Sequence, residues 1–188
     1  MGKIILEQKI GMKIICFGDS NTYGYDPRGY FGGRYDADSR WVAILAAATG
    51  WSVYNMGENG REIPSAAPAF PADTDLLIVM LGTNDLLQGR SPEQAAERLE
   101  RFLSSLSLDR SKILLIAPPP VKRGAWVPNQ QLIDDSHTFA QCCRSLAERR
   151  NLRFADTGKW DIALTYDGVH FTEQGHKTFA ARLLEEFK

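Results

Sequence analysis

The chain has 188 residues, enough for one domain with a full core and short for two. Apolar residues make up 44% and charged residues 24%, with a formal net charge of −1, so nothing draws the chain toward nucleic acid or an anionic membrane surface. Cys16, Cys142 and Cys143 are the only cysteines, a poor disulfide framework without CxxC or Cys/His zinc spacing, and a reducing compartment, the cytoplasm, is the expected location.

Residues 1–11 contain no apolar run long enough for a signal peptide or a membrane span. Met12 offers a second start, so 1–11 is expected to be an extension, native or added, and 12–188 the functional domain. Residues 12–17 (MKIICF) read as the first strand, and Gly18-Asp19-Ser20-Asn21 follows it. Residues 39–49 read as a helix that starts on Ser39 as cap and stops before Gly50. A second strand over 52–56 leads into Gly57-Glu58-Asn59-Gly60-Arg61, and a third over 75–81 leads into Gly82-Thr83-Asn84-Asp85.

The next helix, 91–107, opens on "SPEQ". Ser91 is its cap, Pro92 takes the first helical position and Gln94 completes a capping box. Strand four spans 112–117, a helix spans 134–150, and strand five spans 152–155. Beyond it come Asp167-Gly168-Val169-His170 and a last helix capped by Thr172 that runs to about residue 187. Strands three and four are almost continuously apolar, which suits strands covered on both faces. Alternating strands and helices predict an α/β fold, a three-layer α/β/α flavodoxin-like sandwich around a mainly parallel five-stranded sheet. Ligands of such sheets bind beyond the carboxyl ends of the strands.

The polar clusters stand at those ends, and each alone has a plain explanation. Gly-Asp-Ser makes turns, Asn and Asp cap turns, and Asp-x-x-His before a helix is often a cap beside a surface histidine. Together they supply a complete set. Ser20 is a nucleophile, His170 its base, and Asp167, three residues earlier, an orienting carboxylate. The Ser20 N–H, the Gly57 N–H and the Asn84 amide are candidate donors to an oxyanion. Asp19 and Asp85 are expected to hold turns, and His137 and His176 to be surface or packing residues. Tyr23, Tyr25, Tyr30, Phe31 and Tyr35 either pack over the sheet edge or wall a substrate pocket. Trp126 is placed to form the opposite wall.

These blocks resemble the SGNH hydrolases, or GDSL esterases and lipases. "FGDSNTYGY" is similar to the serine block, "NMGENGR" to the glycine block, "LGTNDLL" to the asparagine block and "DGVHFTEQGH" to the final block. Thr22-Tyr23-Gly24, Arg61 and the "APPP" after strand four resemble the arylesterase and acyltransferase-like branch. The resemblance implies a serine esterase that acts on short-chain or small acyl esters through an acyl-enzyme. It implies catalysis by Ser20, Asp167 and His170 and an oxyanion hole of Ser20, Gly57 and Asn84. The expected pocket is Tyr23, Tyr25, Arg61, Trp126 and Phe171. No metal or organic cofactor is called for, and the only partners expected are a small ester and, as in some members of that branch, further copies of the chain. Carbohydrate deacetylation, thioester hydrolysis, lysophospholipid hydrolysis and a non-catalytic binding module of the same fold are the alternatives. A nucleotide-binding protein ranks last, since no Gly-x-Gly-x-x-Gly or Walker loop is present.

Overall fold

A strand sends alternate side chains to opposite faces, so a strand that is apolar at every position must be covered on both. In the computed structural model, which describes residues 11–29 and 31–187, this rule orders the molecule. The chain runs β1 (Lys13–Gly18), α1 (Ser20–Tyr23), β2 (Tyr25–Asp26), β3 (Gly33–Arg34), α2 (Trp41–Thr49) and β4 (Ser52–Gly57). It continues through β5 (Leu76–Met80), α3 (Thr83–Leu87), α4 (Pro92–Ser104), β6 (Ile113–Ala117), α5 (Gln130–Arg150), β7 (Arg153–Asp156) and α6 (Glu173–Glu186). The central sheet has five strands in the order β4-β1-β5-β6-β7, and every pairing in it is parallel.

On one face Ile14, Cys16, Leu76, Ile78, Met80, Leu114 and Ile116 pack against Trp41, Val42 and Leu45 of α2 and Phe179, Ala180 and Leu183 of α6. On the other face Ile15, Phe17, Leu77, Val79, Ile113 and Leu115 pack against Leu99 and Phe102 of α4 and Phe139, Cys143 and Leu146 of α5. Fully burying one such side chain stabilises by about 1.5–3 kcal/mol. Two complete rows of them fix the sheet as the middle of three layers. The strand order reverses at β1, between β4 and β5, and sheets of this kind place their ligands beyond the carboxyl ends at such a point.

The five expected sheet strands and the four expected helices are present, with shifted ends. Ser91 caps α4 with the full capping box, and the Thr172 side chain accepts from Gly175 N–H at the start of α6. Ser39 does not cap α2. It lies buried in the 3-10 turn Ala37–Ser39, and Arg40 stands at the N-cap with no side-chain hydrogen bond. Helix α5 begins at Gln130 rather than 134, because the Asn129 side chain accepts the Leu132 N–H at 3.0 Å and starts the helix earlier. Gln130 and Gln131 precede the first apolar residues of that turn, Leu132 and Ile133, so nothing apolar marks the helix's start. The short helices α1 and α3 and the small β2–β3 ribbon fall in segments expected to be turns or loop. No helix among the described residues is long and apolar enough to cross a membrane.

His176, in the first turn of α6, is fully buried, with ring contacts to Tyr35 at 5.4 Å and Phe171 at 5.2 Å. Neither ring nitrogen has a hydrogen-bond partner among the described residues. Burial first, then the nearby Arg40 and His170, push its pKa down to about 3. The unfolded chain takes up this proton near pH 6.5, while the folded chain resists it. Stability from this group is therefore complete above about pH 6.5 and is lost as the pH falls toward 3. Urea unfolding at pH 7 and pH 4 should show His176→Phe losing less stability than the wild type, by roughly 3 kcal/mol. Equal losses in the two proteins would contradict this assignment.

Candidate active site

The site is assembled from four strand ends. Gly18 closes β1, and Asp19 caps the one-turn α1 by accepting the Asn21 N–H at 2.9 Å. Ser20 is thereby held at the tip of a fully packed strand, just beyond the carboxyl end of β1. Burial pushes the Asp19 carboxyl up to about 6, against the pull of its bond to Asn21. Asp19 holds the turn, as expected of it.

Ser20 Oγ lies 3.0 Å from His170 Nε2, and His170 Nδ1 lies 2.7 Å from Asp167 Oδ2. The other carboxylate oxygen, Oδ1, accepts from the Thr165 hydroxyl at 2.7 Å, Val169 N–H at 2.9 Å and His170 N–H at 3.0 Å. Burial raises the Asp167 pKa, but these four donors outweigh it and hold the carboxyl well below the usual range. An ionised Asp167 accepts only, so Nδ1 must carry the ring proton. That leaves the Nε2 lone pair facing the serine hydroxyl. A serine hydroxyl does not ionise unaided at neutral pH, and this arrangement provides the base it needs.

The oxyanion side departs from expectation at one residue. Gly57 N–H donates to Asn55 Oδ1 at 2.9 Å, so it is not a free donor. A side chain at Gly57 would collide with the backbone N of Tyr23. Its small size is needed for β4 to pack against α1, which is structural. An open donor that the sequence reading did not name is Gly60, in the same turn. It is exposed, sits at φ +72°, and its N–H has no hydrogen-bond partner among the described residues. The turn around it is fastened toward the nucleophile: Glu58 N–H and Arg61 Nη1 both donate to the Gly18 carbonyl, at 3.2 and 2.9 Å. Asn84 Nδ2 donates to the Arg61 carbonyl at 3.0 Å, which brings the asparagine beside the same turn and leaves its second N–H uncommitted there. Asp85 braces the far side by accepting Ile63 N–H at 2.8 Å and pairing with Arg98 at 2.9 Å. A second Gly in a turn of glycines was the only sequence signal for Gly60.

The expected pocket residues divide. Tyr25 and Trp126 meet the base, with ring centroids 4.7 and 5.0 Å from that of His170. Trp126 arrives there because its loop is sewn to the base loop: Lys122 N–H donates to Gly168, Ala125 N–H to Tyr166 and Trp126 N–H to Asp167. Two residues, Phe171 and Arg61, are corrected, and a third, Tyr23, has a cation against its ring. Phe171 is fully buried in the core against His176 and Phe179, because the α6 side of the sheet needs filling. The Arg61 guanidinium is spent on the Gly18 and Met56 carbonyls and Glu58, and stacks on Phe17 at 4.3 Å. The Tyr23 ring is covered by the Arg34 guanidinium at 4.3 Å. Tyr35 is buried, whereas Phe31 is exposed; Tyr30 lies outside the described residues.

The model of the GDSL-like lipase/acylhydrolase family matches residues 16–178. Among solved structures, the chain is similar to an aryl esterase from M. smegmatis, with 26% identity, a TM-score of 0.75, and coverage of 94% of this chain and 98% of that one. It is also similar to a carbohydrate acetylesterase family member from Sinorhizobium meliloti, with 25% identity, a TM-score of 0.75, and coverage of 92% and 95%. No curated protein matches the chain.

Proposed function

Because the chain belongs to the GDSL-like lipase/acylhydrolase family and is a carboxylic ester hydrolase, we propose that it cleaves short-chain or small acyl esters through an acyl-enzyme on Ser20. The Ser20–His170–Asp167 relay, at 3.0 and 2.7 Å, is the observation that carries this reading. His170 Nε2 takes the hydroxyl proton as Ser20 Oγ attacks the ester carbonyl. Asp167 holds the imidazolium that forms. The carbonyl oxygen, now negative, is received by the Ser20 N–H, the Gly60 N–H and the free N–H of Asn84. His170 returns the proton to the leaving alcohol, then activates a water that releases the acid by the same steps.

The preference for small acyl groups is supported by Tyr25 and Trp126, whose rings both pack against His170. Each methylene that such a site fails to bury forfeits about 0.8 kcal/mol, and clashes add to that. Along a series of p-nitrophenyl esters from two to sixteen carbons, kcat/KM should peak at two to four carbons and fall steeply beyond. A rise out to sixteen carbons would overturn the short-acyl reading. The likeness to a carbohydrate acetylesterase family member favours one second reading, removal of acetyl groups from a sugar, which uses the same acyl site. Acetate release from acetylated saccharides, compared with that from aryl acetates, separates the two.

A further inference from the structure

Ser20 and His170 are 150 residues apart in sequence, and their loops come from opposite ends of the chain. Something must fix the gap between them to a few tenths of an ångström, since proton transfer needs hydrogen-bond reach. Among the described residues, the hydrogen bonds that join the serine turn to the base loop are the Ser20–His170 bond itself and two others, and both of these belong to Asn21. Asn21 Nδ2 donates to the Val169 carbonyl at 3.1 Å, and Asn21 Oδ1 accepts the Phe171 N–H at 2.9 Å. These are the backbone groups on either side of His170. The side chain is buried, and its own backbone carbonyl is held by the Trp41 indole N–H at 3.0 Å.

We propose that Asn21 is a positioning residue for catalysis, setting the distance and approach of His170 to Ser20 by clamping the backbone on both sides of the base. The proposal rests on the serine mechanism above. An amide is the side chain such a clamp requires, because one end must donate and the other accept. A carboxylate keeps only the acceptor, and a leucine of similar size keeps neither. The His170–Asp167 pair does not depend on Asn21, since Asp167 is anchored by Thr165, Val169 N–H and His170 N–H. Loss of the clamp should therefore displace the pair as a unit and leave it intact.

The test uses the whole chain with Asn21→Leu and Asn21→Asp, p-nitrophenyl acetate as substrate, and melting curves to establish that each variant is folded. Asn21→Leu should lower kcat by about 10²-fold, the cost of misplacing a catalytic group by about 1 Å, with KM within twofold. Fluorophosphonate inactivation should slow in parallel. Proton NMR should still show the downfield Nδ1–H resonance of a His170–Asp167 pair. Asn21→Asp, with one bond kept, should fall between leucine and wild type, and it decides the question if the leucine variant does not fold. A folded leucine variant with wild-type kcat, or an aspartate variant with wild-type kcat, overturns the proposal. So does loss of the downfield resonance, which would mean that Asn21 supports the pair and not its placement. Failure of the serine mechanism itself would show separately, as a wild-type enzyme that fluorophosphonate does not inactivate.

Discussion

Ser20→Ala should lower kcat/KM for p-nitrophenyl acetate by on the order of 10³-fold or more, with the melting curve almost unchanged. In the proposed mechanism the hydroxyl forms the acyl bond, and Oγ sits 3.0 Å from His170 Nε2. Ser20 is nearly buried, but its side chain is small, and its side-chain hydrogen bond among the described residues is the one to His170. Removing one such bond costs about 1 kcal/mol, too little to unfold a domain with two full core layers. The donors for the oxyanion remain, so a residual rate above that of water is expected. A folded Ser20→Ala enzyme within tenfold of wild type would remove Ser20 as nucleophile.

Asp167→Asn should cost about 10⁴-fold in kcat, with a small change in KM. Three donors surround Oδ1, so the amide oxygen must take that position. The amide nitrogen then faces His170 Nδ1, where the carboxylate stood at 2.7 Å. Two donors cannot share that contact, and the ring answers by moving its proton to Nε2. The base then presents a proton, not a lone pair, to Ser20. Kinetics on protein shown to be folded by circular dichroism decides the matter. A rate within tenfold of wild type would mean that Asp167 does not set the tautomer.

The sheet and its layers were legible because each buried strand carries two apolar rows, as in Ile14/Cys16 against Ile15/Phe17, and covered rows of that kind have one stable arrangement. The relay was legible because a hydroxyl, an imidazole and a carboxylate stand at carboxyl ends of one parallel sheet. What failed depended on which polar group a given atom meets, and composition does not encode that. Gly57 and Gly60 are equivalent as glycines. Only the Asn55 side chain, turned onto the Gly57 N–H, separates the engaged donor from the open one. Arg61 stands beside the site in sequence, but its guanidinium is drawn inward by two backbone carbonyls and the Phe17 ring. Phe171 follows the base, yet the alternation of a β-like bridge with Leu164 turns it into the core. Asn21 read as one more turn residue, and its two bonds to the base loop cross almost the whole chain.

The most direct measurement traps the intermediate's analogue. Whole enzyme is treated with a fluorophosphonate, digested, and mapped by mass spectrometry alongside Ser20→Ala. The serine mechanism predicts a single adduct on Ser20 that rises in step with loss of esterase activity, and no adduct in the alanine variant. An adduct on another residue that tracks inactivation, or equal labelling of the alanine variant, would contradict it.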